Sequence, residues 1–255
     1  MAVISLFPRL AVLLLAGIAA GISNGIAGGG TFITFPTMLA VGIPSLQANL
    51  SSSVGVVPSY IGGIRGFRQQ LSVHRRLMLT LLPSCLAGAL SGCALLLMGS
   101  PSTFKHIVPW LIGAGTVLFG LSPFITKRLA HVDHSHPGRK WVLFVGIFLA
   151  SVYGGYFGAG LGILLLAIMA VTLPYEIHEL QGLRNVLSIV INSFAAVVFI
   201  IRGNLNGDAV YMLLVGTLIG GWLGTMLIKR LSPNVVRALI VATGAITTVR
   251  LFVTG

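Results

Sequence analysis

The sequence predicts an all-α integral membrane protein with about eight transmembrane helices, arranged as two homologous four-segment halves. Three observations support this prediction. Of the 255 residues, 56% are hydrophobic and only 8% are charged, whereas soluble domains typically carry about 25% charged residues. Apolar stretches long enough to cross roughly 30 Å of hydrocarbon recur along the chain, and one glycine-rich pattern occurs twice. This composition excludes a soluble protein, and we expect a multi-pass protein of the cell membrane that has the lipid bilayer as its surroundings.

The first predicted repeat comprises residues 1–126. It opens with an apolar region, residues 10–43, that would measure about 50 Å as a straight helix and is too long for one plain span. Gly28-Gly29-Gly30 interrupts this region midway, so we expect the helix to be broken there. Three unbroken spans are predicted to follow, at residues 46–64, 77–98 and 107–124.

Residues 127–140 form a predicted polar linker, and residues 141–255 form the second predicted repeat. Its first region, residues 141–173, is again too long for one span and is interrupted by a glycine-rich run from Gly154 to Gly162. Three unbroken spans are predicted after it, at residues 182–201, 209–228 and 235–252. Each broken region either crosses the membrane or turns back within it, and both arrangements stay open at this point.

Basic residues are concentrated in two predicted loops, residues 65–76 and 127–140, which hold eight of the sixteen Lys and Arg residues. Cytoplasmic loops of membrane proteins are enriched in these residues, and two predicted spans separate the loops, so we expect both to be cytoplasmic. The net charge of +12 would also suit nucleic acid. However, the basic residues form short groups between apolar runs, so no nucleic-acid partner is expected.

The two halves match each other around their glycine runs. From Gly25 to Pro44 the corresponding residues lie a constant 130 positions apart, so that Gly28 corresponds to Gly158 and Pro44 to Pro174. Secondary transporters are often built from such repeats, and their substrate sites lie between the broken helices of the two halves. The repeat therefore predicts a binding site between the glycine runs.

The paired motifs resemble those of the TauE/SafE family of sulfite exporters and related permeases over nearly the whole chain. The resemblance rests on Gly21 to Gly30 and on Gly154 to Gly162, each followed by a proline and by a helix start that contains Asn49 or Arg184-Asn185. It implies a membrane permease with eight helices in two halves that moves sulfite or an organosulfonate-type anion. The second run differs from the family pattern in having Leu161 within it.

The glycine runs are candidate ligands through their backbone. Non-helical backbone is tolerated at membrane depth only inside protein or beside a wet cavity, and a broken helix presents a partly positive N-terminus with N–H donors to an anion. We therefore predict substrate contacts at Gly28, Gly29, Gly30, Gly158 and Gly160. The alternative is that these glycines only allow helices to cross closely.

A polar stripe follows Pro174 at helical spacing, in a segment that is otherwise apolar. Arg184 is the candidate for direct binding, because its planar guanidinium presents several donors to an oxyanion. It could instead reach the lipid headgroups or pair with Glu176 or Glu179. The residues of this stripe are Gln181, Arg184, Asn185, Ser188 and Asn192, of which the last four are predicted substrate ligands.

Several further assignments complete the prediction. Asn49 and Ser52 are candidate ligands in the first half, and for Ser52 the alternative is helix capping and hydrogen bonds between helices. A cluster of Glu176, His178 and Glu179 could relay a proton or cap the following helix. The tract from His131 to His136 is assigned to the linker rather than to a metal site, and no metal, cofactor or catalytic residue is predicted.

The leading functional hypothesis is a secondary permease or exporter for a small anion, because no Gly-x-x-x-x-Gly-Lys-Ser/Thr motif for nucleotide binding is present. A permease for another anion such as a carboxylate, an intramembrane enzyme and a structural membrane subunit are the alternatives. A homodimer is compatible with the sequence, which leaves the transported anion, the coupling ion and the direction of transport open.

Overall fold

The computed structural model describes residues 6–26, 28–60, 74–129, 139–227 and 232–254. Within these residues the fold is entirely helical, and six helices are long and apolar enough to cross a membrane. This confirms the all-helical membrane class. The elements are α1 (Leu6–Ile26), α2 (Thr31–Ala40), α3 (Ser45–Gly55), a 3-10 turn (Val57–Tyr60), α4 (Arg75–Met98), α5 (Pro101–Leu129), α6 (Arg139–Tyr156), α7 (Leu161–Thr172), α8 (Ile177–Arg202), α9 (Gly207–Leu227) and α10 (Pro233–Thr254).

Both long apolar regions are divided into two helices. The first divides into α1 and α2 around Gly28, and the second into α6 and α7 around Gly158. Gly28 has a φ of 82° and Gly158 a φ of 77°, a left-handed conformation that costs roughly 1–2 kcal/mol for a residue with a Cβ. The chain can therefore change direction sharply at both positions without strain.

The prediction of one unbroken span at residues 46–64 is wrong. α3 ends at Gly55, after eleven residues, and the 3-10 turn that follows it contains Pro58. Proline lacks a backbone N–H and disfavours helical geometry in the residue before it, so the α-helix stops here. Residues 61–64 lie outside the described part of the chain.

The predicted linker, residues 127–140, is partly helical, because α5 extends to Leu129 and α6 begins at Arg139. The tract from His131 to His136 lies outside the described residues.

One side of the helical bundle is marked by His74 and is called the His74 face. α4 and α8 both begin there, since His74 Nε2 lies 3.4 Å from Glu179 Oε1. α6 begins and α7 ends on the same face, because Arg139 and Thr172 line one cavity with His74, and the Nε of Arg139 donates a hydrogen bond to the carbonyl of Thr172. The α6–α7 pair is therefore a helical hairpin that enters from the His74 face and returns to it.

The opposite side is called the Arg202 face, because α8 ends there and α9 begins there after a short connection. α1 runs parallel to α9, since a Cβ on Gly17 would contact Gly216 and a Cβ on Gly224 would contact Ile22. α1 therefore begins on the Arg202 face and runs toward the interior.

The end of α2 lies on the Arg202 face as well. α10 runs antiparallel to α5, since a Cβ on Gly113 would contact Thr248 and a Cβ on Gly120 would contact Val241, so α10 ends where α5 begins. Ala40, the last residue of α2, lines a cavity together with Leu251 of α10. The α1–α2 pair is thus a second hairpin, and the two hairpins enter the bundle from opposite faces.

Each hairpin is fixed by close packing of its longer helix through glycines. α1 packs on α9 through Gly17 and Gly21, and α6 packs on α4 through Gly155. Small residues allow helix backbones to approach closely in membranes, which replaces the hydrophobic driving force that is absent there.

This packing predicts that Gly21→Ala destabilises the protein. A Cβ on Gly21 would lie 2.6 Å from the Gly221 nitrogen and 2.6 Å from the Thr217 oxygen, so the two backbones would have to separate. Overpacking of this kind typically costs about 1–3 kcal/mol, and we expect a lower midpoint of thermal unfolding in detergent. Gly207→Ala is the control, because a Cβ there meets no atom within 4 Å. Equal midpoints for the two variants would contradict the prediction.

Candidate functional site

The two hairpin tips enclose a small cavity inside the bundle. Its volume is about 20 Å³, which is about the space that one ordered water molecule needs. The wall is built from the end of α1, both glycine breaks, the first turns of α2 and α7, the 3-10 turn and α8. The residues that line it are Asn24, Gly28, Gly29, Gly30, Thr31, Tyr60, Gly158, Gly160, Leu161, Gly162, Arg184, Asn185 and Ser188.

Both tips pack against the middle of α5. Gly115 lies midway between the ends of this helix, and a Cβ there would lie 3.4 Å from the carbonyl oxygen of Ala159 in the second break. A Cβ on Gly29 would lie 2.8 Å from the ring of Phe119, one turn further along α5. The cavity is therefore near the middle of the longest helix in the described part of the chain.

The structure brings together eight of the eleven residues predicted as substrate ligands. All five glycines line the cavity, as do three side-chain candidates on α8. They are Gly28, Gly29, Gly30, Gly158, Gly160, Arg184, Asn185 and Ser188.

The other three predicted ligands are not among the residues that line the cavity, and each has a side-chain hydrogen bond to a neighbouring protein atom. The Nδ2 of Asn49 donates to the Tyr156 carbonyl at 2.9 Å, at the end of α6. Ser52 Oγ lies 2.5 Å from Thr34 Oγ1 on α2. The Nδ2 of Asn192 donates to the carbonyl of Ser188 at 2.8 Å, one turn earlier on α8.

These contacts give Asn49 and Ser52 a positioning role. Asn49 is completely buried and holds the last residue of α6, directly before the second glycine break. Ser52 is also completely buried and holds the second helix of the first hairpin. The polar residues of α3 therefore link both hairpins, and for Ser52 this contact corresponds to the alternative of hydrogen bonds between helices.

Asn24 and Tyr60 line the cavity but were missed in the sequence. Asn24 Oδ1 accepts the N–H of Gly30 at 2.7 Å, and its Nδ2 donates to Ser59 Oγ at 2.8 Å. One amide side chain thus joins the first glycine break to the 3-10 turn that carries Tyr60. An amide four residues before a glycine run, in an otherwise apolar helix, is the signal that could have identified Asn24.

The second break is fixed by hydrogen bonds and by aromatic contacts. Tyr153 donates its hydroxyl to the Ala159 carbonyl at 2.5 Å. Phe157 is buried and its ring lies 5.6 Å from that of Phe35 on α2, in an edge-to-face arrangement. The two tips therefore contact each other directly, and the geometry of the cavity depends on both.

Among the described residues that line the cavity, Arg184 is the only Lys or Arg. Its Nη2 donates to Asn185 Oδ1 at 2.9 Å, and its aliphatic part passes Gly162, where a Cβ would lie 3.4 Å from the Arg184 Cδ. Within the described residues no carboxylate lies within 4 Å of its guanidinium. The absence of a side chain at Gly162 leaves room for this arginine beside the first turn of α7.

Glu176 and Glu179 are engaged elsewhere. They form a reciprocal capping box at the start of α8, in which Glu179 Oε2 accepts the N–H of Glu176 at 3.1 Å. Glu179 also lies beside His74. The capping alternative thus describes their contacts, neither residue lines the cavity, and a proton relay through Glu176, His178 and Glu179 stays a prediction. The His178 side chain lies outside the described part of the structure.

The electrostatics of the cavity favour an anion. α2 and α7 both begin at its wall, and each helix N-terminus carries roughly half a positive charge. The first-turn N–H groups of Thr31 and Gly162 are not among the hydrogen-bonded donors in the described part of the chain. Two helix N-termini and one guanidinium therefore converge on one small space.

The sequence model of the family described as sulfite exporter TauE/SafE matches residues 13–251. The chain belongs to the TauE/SafE family. It is similar to proteins of this kind over nearly its whole length, and the family is one of multi-pass membrane transporters.

Three relatives carry the name "probable membrane transporter protein". One from Haemophilus influenzae is 23% identical over 91% of this chain and 90% of its own length. One from a Sinorhizobium species is 26% identical over 96% of this chain and 93% of its own length. A third, from Escherichia coli, is 22% identical over 95% of this chain and 89% of its own length. This TauE/SafE chain therefore matches nearly the full length of each of these three relatives.

Proposed function

We propose that this TauE/SafE protein is a secondary transporter for a small oxyanion, sulfite or an organosulfonate-type anion, which binds between the two glycine breaks. The observation that carries the proposal is the convergence of two helix N-termini and Arg184 on one cavity. A guanidinium offers several donors in a fixed plane, which matches the oxygens of a sulfur oxyanion. Backbone N–H groups at helix starts add donors without adding further full charges.

The balance of charges also suits release of the substrate. One arginine with neutral donors such as Asn24 and Asn185 binds an anion less tightly than a cluster of cations would. A transporter needs this moderate affinity, because the anion must leave the site on the opposite side.

The arrangement of the hairpins supports alternating access. We propose that residues 1–126 and 141–255 are two homologous halves of inverted orientation, joined by residues 127–140. Hairpin α1–α2 opens toward the Arg202 face and hairpin α6–α7 toward the His74 face. Each hairpin packs its longer helix on a span of the other half, α1 on α9 and α6 on α4. Rocking of one half against the other would open the site to either face in turn.

The small volume of the cavity fits a closed state of this cycle. A space of about 20 Å³ accommodates a water molecule but not a sulfite ion with its surroundings. The hairpin tips must therefore separate when the substrate enters or leaves.

Flux measurements in liposomes that contain only this protein test the function. We expect protein-dependent movement of sulfite or a small sulfonate down an ion, voltage or substrate gradient without added ATP. Flux of carboxylates alone would favour the second candidate, a carboxylate permease. No flux of any tested anion above protein-free liposomes would overturn the proposal.

The orientation of the chain is a further part of the proposal. By position along the described helices, seven Lys and Arg residues fall where helices begin or end on the His74 face, and four fall on the Arg202 face. The positive-inside tendency then places the His74 face in the cytoplasm of a cell whose plasma membrane holds the protein. The start of α1 and the end of α10, which lie on the Arg202 face, would then be on the extracytoplasmic side of the membrane.

Cysteine labelling checks this orientation. Cys85 and Cys93 are buried, so both are first replaced by Ala. Lys140→Cys on the His74 face should then react with a membrane-impermeant maleimide only after permeabilisation. Lys105→Cys, exposed near the start of α5 on the Arg202 face, should react in intact cells. The reverse pattern would show that the orientation is inverted.

A further inference from the structure

A second, larger cavity opens on the His74 face between the first turns of α4 and α6. Its volume is about 760 Å³, far more than that of the cavity between the glycine breaks. Arg76, Arg139 and Lys140 line one part of it. It is separate from the proposed transport site, since none of its lining residues lines the cavity that contains Arg184.

Cations begin both helices at this cavity. α4 starts with Arg75 and Arg76, α6 starts with Arg139 and Lys140, and neither helix has an acidic residue in its first turn. A cation at a helix N-terminus is unfavourable, because the helix dipole is positive there. Arg76 and Lys140 are exposed. An anionic group placed between them would interact favourably with both side chains and with both helix ends.

Much of the rest of the wall is apolar, beside the polar side chains of His74, Thr80, Thr172 and Tyr175. Leu77 of α4, Leu143 and Phe144 of α6, and Leu173 after α7 line the same cavity. Trp141 directly follows Lys140 and is 77% exposed. Exposed tryptophans are typical of the level of the lipid headgroups, so the cationic part lies at headgroup depth and the apolar part lies deeper, as in the binding of a lipid.

We propose that this cavity binds an anionic phospholipid, with its phosphate at Arg76 and Lys140 and an acyl chain along Leu143 and Phe144. The apolar wall is the reason to assign a lipid rather than a free oxyanion, which would gain nothing from these side chains. Basic pockets between transmembrane helices recognise anionic headgroups in this way. α4 and α6 belong to the two different proposed halves, so the lipid would join them at one face.

Quenching of Trp141 fluorescence by brominated lipids tests the proposal in the full-length protein. The chain has three tryptophans, and Trp110→Phe with Trp222→Phe leaves Trp141 as the only reporter. The protein is reconstituted with brominated phosphatidylglycerol or brominated phosphatidylcholine in otherwise identical vesicles. We expect stronger quenching by the anionic lipid. The control is the protein that keeps only Trp110, which should show nearly equal quenching by both lipids.

Charge variants connect the preference to the cavity. Arg76→Gln with Lys140→Gln should weaken the preference for phosphatidylglycerol at Trp141 by about fivefold for each charge removed. Arg76→Lys with Lys140→Arg keeps both charges and should retain the preference, which separates loss of charge from damage to the fold. Inorganic phosphate at constant ionic strength should leave the quenching unchanged.

Three results would overturn the proposal. The first is equal quenching of Trp141 by the two lipids. The second is a preference that persists in the double glutamine variant. The third is a preference that inorganic phosphate abolishes, which would assign the cavity to a small free anion.

Discussion

Replacing Arg184 by Gln is expected to weaken the apparent affinity for the transported anion by about 10- to 100-fold, because a charged hydrogen bond contributes about 1.5–3 kcal/mol. Arg184 is the one Lys or Arg among the described residues that line the cavity. The variant retains the helix N-termini and the neutral donors but has no full positive charge at the site. The measurement is the concentration dependence of anion flux in proteoliposomes.

The fold should tolerate this change. The hydrogen bonds of the Arg184 guanidinium to protein go to its neighbour Asn185, and no ion pair within the described residues depends on it. Lys105→Gln is the matched control, because it removes one positive charge from an exposed position near the start of α5. We expect its flux to show an unchanged apparent affinity.

Arg184→Lys separates the contribution of charge from that of geometry. Lysine keeps the positive charge but presents it as a point rather than as a planar fork. We therefore expect an affinity between those of the wild-type protein and Arg184→Gln. A folded Arg184→Gln protein with unchanged apparent affinity would contradict the prediction and would leave the backbone N–H groups and Asn185 as the binding groups.

The sequence was most informative where composition or periodicity has only one physical explanation. A chain with 8% charged residues must be surrounded by lipid, and a glycine run inside an overlong apolar region must interrupt a helix. Arg184, Asn185 and Ser188 were identifiable because polar residues at helical spacing in an apolar segment require a polar environment.

The remaining features depend on contacts between distant residues, which no local pattern records. The return of each hairpin to its own face becomes visible only through pairs such as Arg139 with Thr172. Asn49 and Ser52 have the same polar character as ligands, yet their partners are Tyr156 and Thr34. Polarity in a membrane helix predicts that a side chain has a partner, but it does not identify that partner.

Gly28→Ala is expected to reduce anion flux by more than tenfold, with only a moderate loss of stability. The added methyl group would meet no described protein atom within 4 Å, and because Gly28 lines the cavity we expect the methyl group to reduce the space at its wall. In a cavity of about 20 Å³ a methyl group takes up space beside the first turn of α2 that an anion would need. The strain of an alanine at a φ of 82° adds a cost of roughly 1–2 kcal/mol in folding.

Gly42→Ala separates the blocked site from the backbone strain. Gly42 has a φ of 86°, and a Cβ there also meets no atom within 4 Å, but it is exposed in the turn between α2 and α3. Both variants should therefore show a similar decrease in the midpoint of thermal unfolding, because both place alanine in the left-handed region. Only Gly28→Ala should lose flux per folded molecule, since Gly42 does not line the cavity. Wild-type flux in both variants would mean that substrate does not pass the first glycine break. An equal loss of flux in both variants would mean that strain in this hairpin, rather than space at its tip, limits transport.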